Sequence, residues 1–307
     1  MKNAIALLDY VFLLRPTLFY PVWTFYLAGF WSGCRSSGAR PSFAFLLASL
    51  SALTALLGGV YILNQIEDRK TDRANGKLFL LANGIVPART AVLEAVLLVS
   101  AGLLVCTFLQ FRLGLLAAAI FLFTGIFYNY TPFTWKDKPI AGLATNVIGG
   151  VLIYAAGWHS AGGRVWLPPE SSAYACAVAA AYLCTALPDI RGDRRTGKVT
   201  FPVRWGVRYT VIWSMVFEVM SALASLWFRN WILFIPAALA LPFFVRAALS
   251  RSVPDSVRAA KLSIAGLAAA VSVVYPLTVV PLLGVYGLSK FYYRKRFDFD
   301  YPSLDKA

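Results

Sequence analysis

Long apolar runs separated by short polar connections dominate this chain, near 17–34, 43–63, 90–110, 113–128, 140–158, 172–188, 209–228, 231–249 and 262–286. A helix needs roughly 20 residues to cross the hydrocarbon of a bilayer. Backbone groups in lipid find no water to bond, so spanning runs of this kind fold as helices. The pattern predicts an all-α integral membrane protein with nine transmembrane helices in one bundle. No polar linker divides it. Residues 1–289 read as a single transmembrane domain and 290–307 as an aromatic and basic interfacial tail. Nine crossings put the two termini on opposite sides.

The polar positions are as informative as the apolar ones. Asn64-Gln-Ile-Glu-Asp68-Arg-Lys-Thr-Asp72 closes the second segment and Asp189-Ile-Arg-Gly-Asp193 follows the sixth, so both emerge on the same side. Of 307 residues, 14 are Asp or Glu, and five of those lie in these two stretches. A carboxylate near bilayer depth costs roughly 2.5–3.5 kcal/mol on insertion scales, which makes each a functional hypothesis.

Charge orients the bundle. Of 29 basic residues, 19 fall on the side of the acidic stretches; the other side holds Arg35, Arg40, Arg112, Arg164 and Arg229, plus the tail residues Lys290, Arg294, Lys295, Arg296 and Lys306. Positive residues favour the cytoplasmic side. The acidic stretches are therefore expected to face the cytoplasm, from the inner membrane if the source is a bacterium. The tail fits this poorly: either it lies on the outer surface against the rule, or the helix count is off by one. The net charge of +15 reflects these short loops. It suits contact with membrane lipid and an anionic ligand rather than nucleic acid.

Other residues change the picture less. Lys2, Asp9 and Arg15 precede the first long run with no small-residue cleavage site, so the first span reads as a retained anchor. Cys34, Cys106, Cys176 and Cys184 have no metal-ligand spacing and read as packing residues. His159, the single histidine, reads as structural.

Residues four apart share a helical face, so Asn64, Asp68 and Asp72 form one stripe, and Asp189 and Asp193 form another where that stretch is helical. Magnesium takes oxygen ligands and is commonly held by one or two carboxylates plus substrate phosphates. Two facing stripes suit Mg²⁺ on a diphosphate, with Asn64 adding a neutral group. The plainer alternative is solvated helix ends paired with Arg69, Lys70, Arg73, Arg194 and Arg195, which contribute little. Recurrence beneath two same-side helices favours the metal. Arg73 and Lys77 are added as diphosphate contacts by their proximity in sequence.

These residues resemble the two signature motifs of the UbiA superfamily of intramembrane prenyltransferases. The resemblance includes Leu14-Arg15-Pro16, Tyr128-Asn-Tyr-Thr-Pro132 through Lys136, and Gly197-Lys198-x-Thr200. It implies nine helices around a central cavity and Mg²⁺-dependent transfer of an isoprenyl chain from its diphosphate to a lipophilic acceptor. It also implies that Asn64, Asp68, Asp72, Asp189 and Asp193 hold the diphosphate through Mg²⁺, with Arg15, Lys136 and Lys198 contacting it. An allylic cation needs electron-rich walls that are not nucleophiles, which aromatic faces supply; Tyr61, Tyr128 and Tyr130 are the candidates, with interfacial anchoring their ordinary alternative.

The segment Asn75-Gly-Lys-Leu-Phe-Leu-Leu-Ala-Asn-Gly84 lacks the Arg-Pro found in many relatives, and Lys77 cannot give an arginine's bidentate fork. Other features are similar to the chlorophyll-synthase-like branch, among them Asn64-Gln65 with Asp68-Arg69 and Asp193-Arg194 with Pro202-Val203. The acceptor therefore stays open. A quinone precursor or other aromatic ring comes first, with a polar lipid headgroup or a tetrapyrrole carboxylate as alternatives. A cation-binding transporter is disfavoured because no long-range repeat accompanies the acids.

Overall fold

The computed structural model describes residues 2–74 and 79–302, and within them every regular element is a helix. Helix α1 (Lys2–Leu13) precedes α2 (Phe19–Ser37), α3 (Phe43–Ala74), a single turn α4 (Phe79–Ala82) and α5 (Ala88–Leu109). Then come α6 (Phe111–Ile120), which widens into a π-helical stretch at Phe121–Phe127, α7 (Pro139–Ser160), α8 (Ser171–Thr185) and α9 (Ile190–Arg195). The chain ends with α10 (Phe201–Trp227, interrupted at Gly206), α11 (Trp231–Ser250), α12 (Val253–Val274) and α13 (Val279–Phe297). Among the described residues eight helical segments are long and apolar enough to cross a membrane, and 111–127 is a shorter ninth. The first eight expected segments each find their helix.

The ninth segment, placed at 262–286, resolves into two helices. Proline disfavours helical geometry in the residue before it, and Tyr275, preceding Pro276, sits at φ −123, ψ 78. The chain turns there and α13 runs back. Near its start the Tyr20 hydroxyl donates to the Leu282 carbonyl. Near its end Tyr292 stacks on Phe12 at 3.8 Å, and Arg296 reaches Asp9 through Nε at 3.1 Å and Nη2 at 2.8 Å. The Tyr292 hydroxyl also donates to Asp9 at 2.6 Å. This settles the two alternatives for the basic tail: its described part lies at the acidic end of the bundle, beside α1. The helix runs across the boundary expected at 289/290.

Tight packing needs small residues where helices cross, because lipid gives helices no hydrophobic reason to associate. Helices α2 and α7 meet through glycine. A Cβ on Gly29 would stand 2.0 Å from the Tyr154 carbonyl oxygen, and one on Gly157 would stand 1.9 Å from that of Tyr26. The contact fixes α7 against α2 and buries Tyr26 and Tyr154 completely. Helix α3, 32 residues long, places Asp68 about 38 Å from its start at 1.5 Å per residue. The acidic stripe thus stands past one bilayer thickness of about 30 Å, measured along the helix.

Gly157→Val is expected to overpack this crossing and cost about 1–3 kcal/mol or more, read as a lower unfolding temperature in detergent. Arg296→Ala is expected to cost roughly 1–3 kcal/mol by leaving the buried Asp9 short of two charged hydrogen bonds. Limited proteolysis should then release the C-terminal helix, whereas unchanged protection would contradict the clasp.

Candidate active site

The acidic stripe of α3 and the stretch joining α8 to α9 converge on one cavity of about 550 Å³. Asn64, Asp68, Asp72, Asp189, Asp193, Arg15, Lys136, Lys198, Tyr61 and Tyr128 all line it. Ten of the thirteen residues singled out from sequence therefore meet in one chamber. Three do not. Arg73 turns away, its guanidinium donating to the Ala82 carbonyl, so it fastens α3 to α4. Tyr130 is half-buried but does not line the cavity. Lys77 lies outside the described residues.

Asp68 is the hub of the charged face. Its Oδ1 is 2.9 Å from Lys136 Nζ and 2.5 Å from Lys198 Nζ, and its Oδ2 accepts from Asn64 Nδ2 at 2.9 Å. Burial alone would lower the Lys198 ammonium pKa, but Asp68, with Asp137 and Asp193 behind it, more than offsets this and raises it. Lys198 therefore stays a cation throughout the physiological range. Asp72 lies within Coulombic reach of Asp68, Arg15, Lys198 and Asp189.

Local backbone geometry places each cation. Arg15 adopts left-handed φ 55, ψ 62, which costs a non-glycine residue about 1–2 kcal/mol. Bonds on either side hold it there. Arg15 N–H donates to the Phe12 carbonyl at 3.1 Å, Leu18 N–H to that of Arg15 at 2.9 Å, and Gln65 Nε2 to that of Leu13 at 2.7 Å. Gln65 sits beside Asn64 on α3, so one helix both carries the acids and sets the corner that presents Arg15. Lys198 is placed by its loop. Lys198 N–H donates to the Asp193 carbonyl at 2.9 Å, Val199 N–H to the Asp137 carbonyl at 3.1 Å, and the Thr200 hydroxyl to Asp193 Oδ2 at 3.0 Å.

Lys136 depends on a residue that the sequence reading passed over. Asn129 donates to the Gly125 carbonyl at 2.9 Å, and its Oδ1 accepts from Asn64 at 2.8 Å and Lys136 at 3.2 Å. Wide π-helical turns recur at functional sites, and this one leaves the Gly125 carbonyl within reach of Asn129. A buried Asn between two tyrosines at the end of an apolar run was the available signal. Asp137, 3.7 Å from Lys198, and Tyr182, which lines the cavity beside Tyr128, were also missed.

The acidic residues of the site offer oxygen ligands alone, which suits a hard cation such as Mg²⁺. Among the described residues no three His, Cys, Asp or Glu side chains come together as a complete metal cage. Beyond the charges the cavity wall is mostly apolar, with Leu18, Pro21, Phe25, Ala177, Val178 and Leu267 among its residues. His159 is remote from all this: it is buried at the other end of α7, its Nε2 3.2 Å from the Trp166 carbonyl. The four cysteines are free thiols.

A sequence model of the UbiA prenyltransferase family matches residues 22–267. A probable homogentisate phytyltransferase 2 from Oryza sativa subsp. japonica is 29% identical over 222 residues, covering 68% of this chain and 55% of that one. A 2-acyl-4-prenylphloroglucinol 6-prenyltransferase from Humulus lupulus is 26% identical over 185 residues, 56% of this chain and 45% of that one. The chain thus spans about half the length of these curated relatives. Among solved structures, a UbiA homolog from Archaeoglobus fulgidus bound to GPP and Mg²⁺ superposes with a TM-score of 0.65 at 20% identity, over 86% of this chain and 99% of that one. At that identity the likeness shows the shared fold.

Asn129→Leu is expected to strip Asn64 and Lys136 of a common partner. The loss should be about 1–3 kcal/mol, the cost of leaving buried polar groups unsatisfied, measured by thermal unfolding in detergent against Asn146→Leu as a cavity-lining control.

Proposed function

Because this chain belongs to the UbiA prenyltransferase family, we propose that it transfers an isoprenyl chain from its diphosphate to a lipophilic aromatic acceptor such as a quinone precursor, releasing pyrophosphate. One observation carries this reading. Two acidic motifs more than a hundred residues apart share the charged end of a cavity whose remaining wall is mostly apolar. That polarity matches a molecule with a diphosphate head and a hydrocarbon tail. The acceptors named for the two plant relatives, homogentisate and an acylphloroglucinol, favour an aromatic ring over a polar headgroup or a tetrapyrrole carboxylate.

In this reading Asp68, Asp72, Asp189 and Asp193, with Asn64, hold Mg²⁺ and the diphosphate together. The ion, when bound, supplies positive charge against the leaving oxygens. Arg15, Lys136 and Lys198 donate to the same oxygens, stabilising charge as it builds on them. The tail lies along Leu18, Pro21, Phe25 and Leu267. Tyr61 and Tyr128 present ring faces beside the charged end, where the allylic carbon would carry positive charge, and Tyr182 adds a third. Apolar walls keep water from that carbon. The chemistry faces the cytoplasm, because the acidic end carries the excess of Lys and Arg, now including the described part of the tail.

The test is purified protein with Mg²⁺, isoprenyl diphosphates of several chain lengths, and a panel of hydroxylated benzene and naphthalene acceptors, with products identified by mass spectrometry. Prenylated acceptor and pyrophosphate should form in equal amounts, stop with EDTA and resume with Mg²⁺. Asp68→Asn and Asp189→Asn should each lower turnover on the order of 10²-fold or more while the protein remains folded. Near-normal turnover in both variants would refute the assignment.

A further inference from the structure

Resting on the prenyl-transfer reading, a second polar feature of the cavity bears on the acceptor. The wall contributed by α11 and α12 is formed by Leu233, Pro236, Ile264 and Leu267, with Ser263 as its single polar residue. The Ser263 hydroxyl donates to Glu218 Oε1 at 3.2 Å. Glu218 lies within α10 and is fully buried. Its Oε2 has no hydrogen-bond partner, nor does the buried Ser221 hydroxyl less than one turn further on. Glu218 also lies within Coulombic reach of Cys184, which pairs with Ser214 at 3.0 Å, and Ser214 is itself committed to the Ala180 carbonyl.

Helix-to-helix adhesion explains this arrangement poorly. A serine or asparagine would join α10 to α12 at less cost than a carboxyl group with half its bonding capacity unused. Ionisable groups inside spanning helices are retained for function as a rule.

We propose that Ser263, oriented by Glu218, is a subsite for a hydroxyl group on the aromatic acceptor. A serine hydroxyl has one proton to give and two lone pairs to accept with. With its proton committed to Glu218, Ser263 meets a cavity ligand as an acceptor, so it pairs with an O–H or N–H and offers nothing to an ether or a carbonyl oxygen. Ser263 is then a specificity residue that touches substrate, and Glu218 is a positioning residue that acts through it.

The test compares kcat/KM for 1,4-dihydroxybenzene and 1,4-dihydroxynaphthalene acceptors with that for their O-methyl ethers. Intrinsic ring reactivity cancels when the ratio in each variant is divided by the wild-type ratio. Ser263→Ala should lower the preference for the hydroxyl form on the order of 10-fold to 100-fold, while KM for the isoprenyl diphosphate stays unchanged. Glu218→Gln, whose amide can donate to Ser263 and free its proton, should relax the preference as well, with kcat for the hydroxyl acceptor largely kept. A purely structural role would lower stability and slow both acceptors alike, leaving the ratio at the wild-type value in both variants. That result would overturn the subsite. Absence of any prenylated product from the wild-type protein would instead overturn the reading on which it rests, and the subsite with it.

Discussion

Four carboxylates at the charged end of one cavity repel one another, and the cations of the site are arranged to contain that repulsion. Charges near lipid interact more strongly than in water because the surrounding dielectric is low. Lys136 and Lys198 converge on a single oxygen of Asp68, and Arg15 stands within Coulombic reach of Asp72. None of the three cations comes from the helix that carries the α3 acids. Each arrives from a connecting segment shaped for it: the left-handed corner before α2, the turn after the π-helical stretch, and the loop between α9 and α10. The same cations suit the phosphate oxygens of the proposed diphosphate, which would make stability and chemistry draw on one set of groups.

Such a site requires a frame that does not shift. Glycine crossings set α7 against α2 at backbone contact, and Gln65 ties α3 to the corner at Leu13. At the acidic end, α13 stacks Tyr292 on Phe12 and closes on Asp9. These last contacts lie outside the stretch matched by the family model, residues 22–267. They brace the end of α1, next to the corner that carries Arg15.

Periodicity and charge made most of the frame readable, because spanning helices announce themselves by length and the two acid stripes by their four-residue repeat. What stayed hidden was set by backbone geometry rather than residue type. Asn129 matters because its amide oxygen joins Asn64 and Lys136, a meeting that only the folded backbone brings about. Arg73 adjoins the motif in sequence, yet its position on α3 directs it to Ala82. Tyr128 and Tyr130 look equivalent on paper, but two residues further along, where the helix ends, the ring leaves the cavity. The returning α13 was concealed because 262–286 reads as one apolar run, although Pro276 within it marked the break. Glu218 carried a plain signal, a lone acid inside a spanning segment, eclipsed by the clustered acids elsewhere.

The central claim is that stripes from two distant helices grip one ligand together, and a double-mutant cycle tests it most directly. Mg²⁺-dependent affinity for an isoprenyl diphosphate would be measured for wild type, Asp72→Asn on α3, Asp189→Asn before α9, and the pair combined. Joint action predicts that the second substitution adds far less than it does alone, a coupling energy well beyond the ~0.3–0.5 kcal/mol scatter of independent sites. Losses that simply add would mean that the two stripes act separately, and the account would fail.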